Sequence, residues 1–179
     1  MNRFVVVSGC SGGGKSTLSA ELEQRGYAVV EEPRRRILNA EMCANGMALP
    51  WSDPIASLHR VLAMALDGRA AIESESRSNS WVFFDRWLID AATGLQYLTG
   101  ESLLARLGQL HRYHRRVFLT PPWSEIYVQD SERRHCLEEA TEEYSRLLEA
   151  YPALGYVVSI LPKVGVTERA DYVLRMLQA

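Results

Sequence analysis

Apolar residues in this chain follow two rhythms. Short unbroken runs, Phe4-Val5-Val6-Val7, Trp81-Val82-Phe83-Phe84 and Val117-Phe118-Leu119, are bounded by polar or turn residues and read as strands buried on both faces. Tyr27 to Val30 and Tyr156 to Ile160 read as two more strands. Elsewhere the apolar positions recur with helical spacing. Leu18 and Leu22 follow Lys15 and end at Gly26, a C-terminal stop. Ser52 or Asp53 caps a helix with Pro54 in its first turn, and Ile55, Leu58, Val61, Leu62, Ala65 and Leu66 predict a long amphipathic helix beyond it. Leu137, Ala140, Tyr144, Leu147, Leu148 and Tyr151 predict another, closed by Pro152 and Gly155, and Val173, Leu174 and Leu177 mark a last one. Strands alternating with helices require crossover connections. The expected fold is α/β in three layers, with a five-stranded, mostly parallel sheet, helices on both faces and ligands at the carboxyl ends of the strands.

Length and composition narrow the class. The 179 residues suit a single domain. At 47% hydrophobic and 23% charged, the composition is that of a folded globular chain rather than a disordered one. Twenty basic against 22 acidic residues give a net charge of −2, so no global positive field favours nucleic acid or anionic lipid. The three cysteines, Cys10, Cys43 and Cys136, form neither a disulfide framework nor a paired zinc motif. No apolar stretch has the length of a membrane span or a signal-peptide core, and a cytoplasmic location is expected.

The chemistry begins at Gly9-Cys10-Ser11-Gly12-Gly13-Gly14-Lys15-Ser16, which fits Gly-x4-Gly-Lys-Ser/Thr between a buried strand and an amphipathic helix. Background usage gives roughly a one per cent chance of such a match in a chain this long, before that context is counted. Glycines let backbone N–H groups surround phosphate oxygens, and the helix N-terminus adds a dipole that favours anions. Lys15 is expected on the β- and γ-phosphates and the Ser16 hydroxyl on Mg²⁺, with Thr17 supporting. Cys10 is open to two readings, a thiol of lowered pKa or simply a small loop residue. A second oxygen for Mg²⁺ is expected from Asp85, which ends a strand; the alternative is that Asp85 caps the following helix.

Further charged clusters fall at strand ends. Glu31-Glu32-Pro33-Arg34-Arg35-Arg36 follows the second strand, where a carboxylate suits either proton acceptance from a substrate or the dipole of a solvated helix start. Asp130-Ser131-Glu132-Arg133-Arg134-His135 suits either a lid whose Arg133 or Arg134 closes on the γ-phosphate or an ordinary solvated helix face. Arg112, Arg115 and Arg116 suit a second phosphate site or a solvated strand entrance, while His59 and His114 lack metal-binding spacing and read as surface or packing residues.

Taken together, the Gly9 to Ser16 block, Glu31-Glu32-Pro33-Arg34-Arg35, Phe83-Phe84-Asp85-Arg86, Val117 to Trp123 and Asp130 to Arg134 resemble the small bacterial AAA-domain ATPases of the P-loop NTPase superfamily. The likeness runs over nearly the whole chain and implies binding of ATP, or GTP, with Mg²⁺. Asp85-Arg86 and Glu32-Pro33 are also similar to motifs of thymidylate and deoxynucleoside kinases. That similarity implies Glu32 as a base and Arg86 as a ligand of phosphate or acceptor. Where the family tends to Gly-x-Pro-Asp after Asp-Arg, this chain has Trp87-Leu88-Ile89-Asp90.

Two functions follow. A phosphotransferase would carry the γ-phosphate to a small-molecule acceptor held by Glu32, Arg86, Trp51 and Trp87, as a monomer or homodimer. A nucleotide-dependent switch would hydrolyse ATP or GTP slowly and act through a protein partner. The guanine-reading Asn-Lys-x-Asp pattern is absent from the sequence, which leans the reading toward ATP.

Overall fold

The computed structural model describes residues 2–37, 53–75, 80–127 and 137–178. Its strands are β1 (Phe4–Gly9), β2 (Ala28–Val30), β3 (Val82–Asp85), β4 (Arg116–Thr120) and β5 (Val157–Ile160). Its helices are α1 (Lys15–Gln24), α2 (Pro54–Glu75), α3 (Leu88–Thr99), α4 (Leu104–Leu110), α5 (Leu137–Ala153) and α6 (Val166–Gln178), with residues 33–37 also helical. The strands form one sheet in the order β2-β3-β1-β4-β5 with every pairing parallel. All five expected strands are present, and the sheet is wholly rather than mostly parallel.

Register puts the chemistry at one end. Val7 of β1 lies beside Asp85 of β3, and Gly9 lies beside Thr120 of β4. The central strand therefore leaves the sheet flanked by a carboxylate on one side and a threonine on the other.

The chain forms two compact units: Met1–Val30 with Ser80–Asp85 and Tyr113–Ala179, and Glu31–Asn79 with Arg86–Arg112. In the first, alternate strand positions Val5, Val7, Phe83 and Phe118 form a core with Leu18 and Leu22 of α1 and Ala170, Val173 and Leu177 of α6. Each of the Val, Leu and Phe side chains contributes roughly 1.5–3 kcal/mol on full burial. On the other face α5 packs against β1 and buries Ala140, Tyr144, Leu147 and Tyr151, while Phe84 meets Phe4 and Tyr113 edge to face at 5.3 and 5.6 Å.

The second unit is helical, α2 lying on α3 and α3 on α4. Asp53 is the cap of α2, its Oδ1 accepting the Ala56 N–H at 2.9 Å. The buried stripe of α2 runs through Ser57, Val61, Leu62, Ala65 and Arg69, whereas Ile55, expected on it, is 40% exposed. Seven residues before Leu62, Ile55 shares that side of the helix to within about 20° but stands in the first turn, at the end of the stripe. The sequence pattern did not announce α3. Its residues Leu88 to Thr93 and Leu95 are all buried, Asp90 and Thr93 among them, while the large Tyr97 and Leu98 are exposed, so polarity along it does not follow burial. Among the described residues, no helix is long and apolar enough to cross a membrane.

His114 is a packing residue, as expected. It is 3% exposed, meets Trp81 edge to face at 5.2 Å, and its Nδ1 accepts the Arg116 N–H at 3.2 Å. Burial, with the Arg115 and Arg116 charges and the amino terminus, holds its pKa below the ordinary 6.5 against the opposing hydrogen bond from Arg116. His111 is also lowered, chiefly by burial and then by Arg69. A histidine kept neutral in the folded state binds its proton first in the unfolded chain, so stability is retained above the unfolded pKa and lost as pH falls through the folded one. Denaturant midpoints should decline as pH drops below about 6.5, and His114→Gln should flatten that decline; an unchanged slope would show that His114 does not carry it.

Candidate functional site

The loop between β1 and α1 starts a helix without the usual cap. Gly14 occupies the N-cap with φ 79° and ψ 26°, no side chain caps the helix, and its first turn has no acidic residue. The first residue is instead a lysine, the wrong charge for a helix N-terminus, and Lys15 is only 7% exposed. Its Nζ donates to the Cys10 carbonyl at 2.8 Å and the Gly9 carbonyl at 3.4 Å. Uncapped N–H groups beside a buried ammonium suit a multiply charged anion.

The outer side of the loop is tied to β4 and α6. Cys10 N–H donates to Thr120 O at 2.9 Å, and Thr120 Oγ1 donates to Ser8 O at 3.2 Å and Cys10 O at 3.4 Å. Arg169 of α6 donates from Nη1 to Gly13 O at 3.4 Å and Gly14 O at 3.2 Å, and its guanidinium lies 5.4 Å from the Trp123 ring centre. These contacts explain the glycine run. A Cβ on Gly13 would lie 2.8 Å from Thr120 Cβ and 2.9 Å from Pro121 O, and one on Gly14 would lie 2.7 Å from Arg169 Nη1. Tyr127 packs its ring against Gly12.

The other expected residues fall as follows. Ser16 follows Lys15 in the first turn and is half-buried, and Thr17 is exposed. Ser11 is half-buried within the loop. The Cys10 thiol is fully buried and donates to Ser11 O at 3.3 Å, the environment of a small packing residue rather than of an accessible nucleophile. Asp85 ends β3 at 6% exposure. Trp87 stands at the N-cap of α3, and Asp90, in the first turn, accepts the Trp87 N–H at its Oδ2, 3.3 Å away.

In the second unit Arg86 is 6% exposed and, among the described residues, alone in having a positive φ without being glycine, at 46°. Such a conformation costs on the order of 1–2 kcal/mol for a residue with a Cβ, and it marks a side chain whose direction matters. Arg86 Nε faces Glu32 Oε1 at 4.0 Å, an ion pair too long for a hydrogen bond. Glu32 also opens the short helix, its carbonyl accepting the Arg35 N–H at 3.2 Å. Arg116 is engaged with Ser159 Oγ at 2.8 Å at the entrance of β4, away from the glycine loop, so it is a strand-entrance residue. Arg133, Arg134 and Trp51 lie outside the described residues.

Sequence reasoning passed over Arg169 and Thr120. Arg169 had a signal: it occupies the stripe shared with Ala170, Val173 and Leu177, where a solvent-facing arginine does not belong.

A profile of the AAA domain family matches residues 4–169. This chain belongs to that family. Comparison with curated proteins gives no match. Among solved structures, this AAA domain is similar to deoxyadenosine kinase from M. mycoides with bound dATP, at 15% identity and a TM-score of 0.61, over 99% of this chain and 100% of the other. It is similar to thymidylate kinase from Ehrlichia chaffeensis at 18% identity and a TM-score of 0.64, over 98% of each chain. It also matches the NadR protein in complex with NR, at 21% identity and a TM-score of 0.66, over 99% of this chain and 51% of that one. The AAA domain thus has the P-loop NTPase fold in its kinase-like form.

Gly13→Ala should displace the end of β4 from the loop. We expect it to weaken nucleotide binding at least about tenfold, the loss of one charge-assisted hydrogen bond, by calorimetric titration; wild-type affinity would show that the close approach is dispensable.

Proposed function

We propose that this AAA domain is a Mg²⁺-dependent phosphotransferase that moves the γ-phosphate of ATP to a small acceptor bearing a hydroxyl or phosphate group. In this reading the N–H groups of Gly12 to Ser16 and the Lys15 ammonium hold the phosphates. Ser16 and Asp85 would hold the ion. One hydroxyl and one carboxylate, with no cluster of three or more His, Cys, Asp or Glu among the described residues to cage a metal, match the donor set of a Mg²⁺ that takes its remaining oxygens from phosphate and water. When bound, the ion neutralises charge on the phosphate oxygens. Arg133 and Arg134 serve as the lid residues of this reading.

The Glu32–Arg86 pair carries the proposal beyond nucleotide binding. Glu32 follows β2 and Arg86 follows β3, both at carboxyl ends of strands, and the left-handed backbone of Arg86 gives its buried side chain a fixed direction. Glu32 accepts the proton of an acceptor hydroxyl, and Arg86 orients it and neutralises a phosphate on it. The kinases among the similar structures support a nucleoside or nucleotide as the first acceptor class to examine.

Transfer of γ-labelled phosphate from ATP and GTP, with Mg²⁺, to nucleosides, nucleotides and other small hydroxyl compounds tests this. Label on one acceptor is the expected result, whereas inorganic phosphate released at the same rate across the panel would favour the switch. Lys15→Ala and Asp85→Ala should each abolish turnover with unchanged circular dichroism, and full turnover by folded Lys15→Ala would overturn the loop assignment. Glu32→Gln should slow transfer by about 10²–10⁴-fold while ATP affinity is retained; equal loss of both would make Glu32 structural.

A further inference from the structure

We propose that Arg169 is a positioning residue of the phosphate loop, setting the direction of two loop N–H groups by holding the carbonyls behind them. This rests on the nucleotide reading above.

The argument starts from peptide planarity. In a trans peptide, the carbonyl of one residue and the N–H of the next point in opposite directions. The structure has no cis peptide among the described residues, so when Arg169 Nη1 draws the Gly13 and Gly14 carbonyls toward α6, the N–H groups of Gly14 and Lys15 point away from α6. These are the last donor of the loop and the first of α1. They need a fixed direction, because a donor that must reorient to meet an anion spends part of the binding free energy doing so. The Gly14 carbonyl also accepts the Leu18 N–H at 3.2 Å, so the first helical bond and the Arg169 bond hold the same peptide.

The identity of the residue needs explaining. Arg169 is 5% exposed on a stripe that otherwise carries Ala170, Val173 and Leu177. Among the described residues it has no carboxylate partner, and its Nε makes no hydrogen bond. Burial lowers its pKa from the usual arginine value. An arginine so placed costs stability that an apolar residue would not. What it supplies is one nitrogen, Nη1, that reaches both carbonyls from a guanidinium plane backed by Trp123, and a positive charge beside the loop with no counter-ion among the described residues. Both become favourable once polyphosphate is bound.

The test uses Arg169→Met, which keeps length without charge, and Arg169→Lys, which keeps charge without the guanidinium plane backed by Trp123. Calorimetric affinities are measured for Mg·ATP and for inorganic tripolyphosphate, alongside thermal stability. We expect Arg169→Met to melt at or above the wild-type temperature and to bind both ligands about 10- to 100-fold more weakly, by the same factor for each, as two misdirected charge-assisted hydrogen bonds imply. Arg169→Lys should stay closer to Met than to wild type. Wild-type affinity in folded Arg169→Met overturns the proposal. So does a loss confined to ATP with tripolyphosphate unaffected, because that pattern marks contact with the base. If Arg169→Met does not fold, Arg169→Lys decides: wild-type affinity there overturns the proposal and equal weakening for both ligands supports it. Failure of the wild type to bind either ligand, or wild-type binding by Lys15→Ala, would instead refute the nucleotide reading.

Discussion

The hold of β4 on the glycine loop is the constraint from which the rest follows. A loop that presents N–H groups inward must turn its carbonyls outward, and outward carbonyls must be paired or solvated. Here Ser8 and Cys10 accept from Thr120 Oγ1, Cys10 also accepts from Lys15 Nζ, and Gly13 and Gly14 accept from Arg169. The loop shape is thereby built by the protein before any ligand arrives. Glycine is required at Gly13 and Gly14 because the residues doing the holding come too close for a Cβ.

That hold depends on the core beneath it. β1 is flanked by β3 and β4, and its alternate residues Val5 and Val7 meet α1 and α6, the helix that starts the loop's anion site and the helix that carries Arg169. One apolar layer thus fixes both the donors and the residue that aims them. The register that sets Gly9 beside Thr120 also sets Val7 beside Asp85, so the carboxylate and the loop are positioned by the same strand.

Much of this was legible in the sequence. Buried parallel strands announce themselves as unbroken β-branched and aromatic runs, as β1, β3 and β4 do, and the partly exposed edge strands β2 and β5 were found as well; the loop is a motif whose residue types are dictated by phosphate. What escaped had physical reasons. In α3 polar residues such as Asp90 and Thr93 are buried while Tyr97 and Leu98 are exposed, so its pattern misleads, and α4 is only seven residues long. Arg169 is some 155 residues from the carbonyls it holds, a separation no local pattern encodes. The backbone of Arg86 was invisible for a related reason. Its φ of 46° is imposed by the tertiary structure and leaves no mark on residue type. Asp90 shows the limit of local logic, since only the geometry reveals that its carboxylate reaches back to the N–H of Trp87 at the start of α3.

A preformed loop has a thermodynamic signature. Calorimetric titration of Mg·ATP at several temperatures should show one site per chain with a small heat-capacity change, because little apolar surface is buried when a loop already in place receives phosphate. Absence of binding, or a large negative heat-capacity change of the kind that accompanies folding on binding, would contradict the account that β4 and α6 build the site in advance.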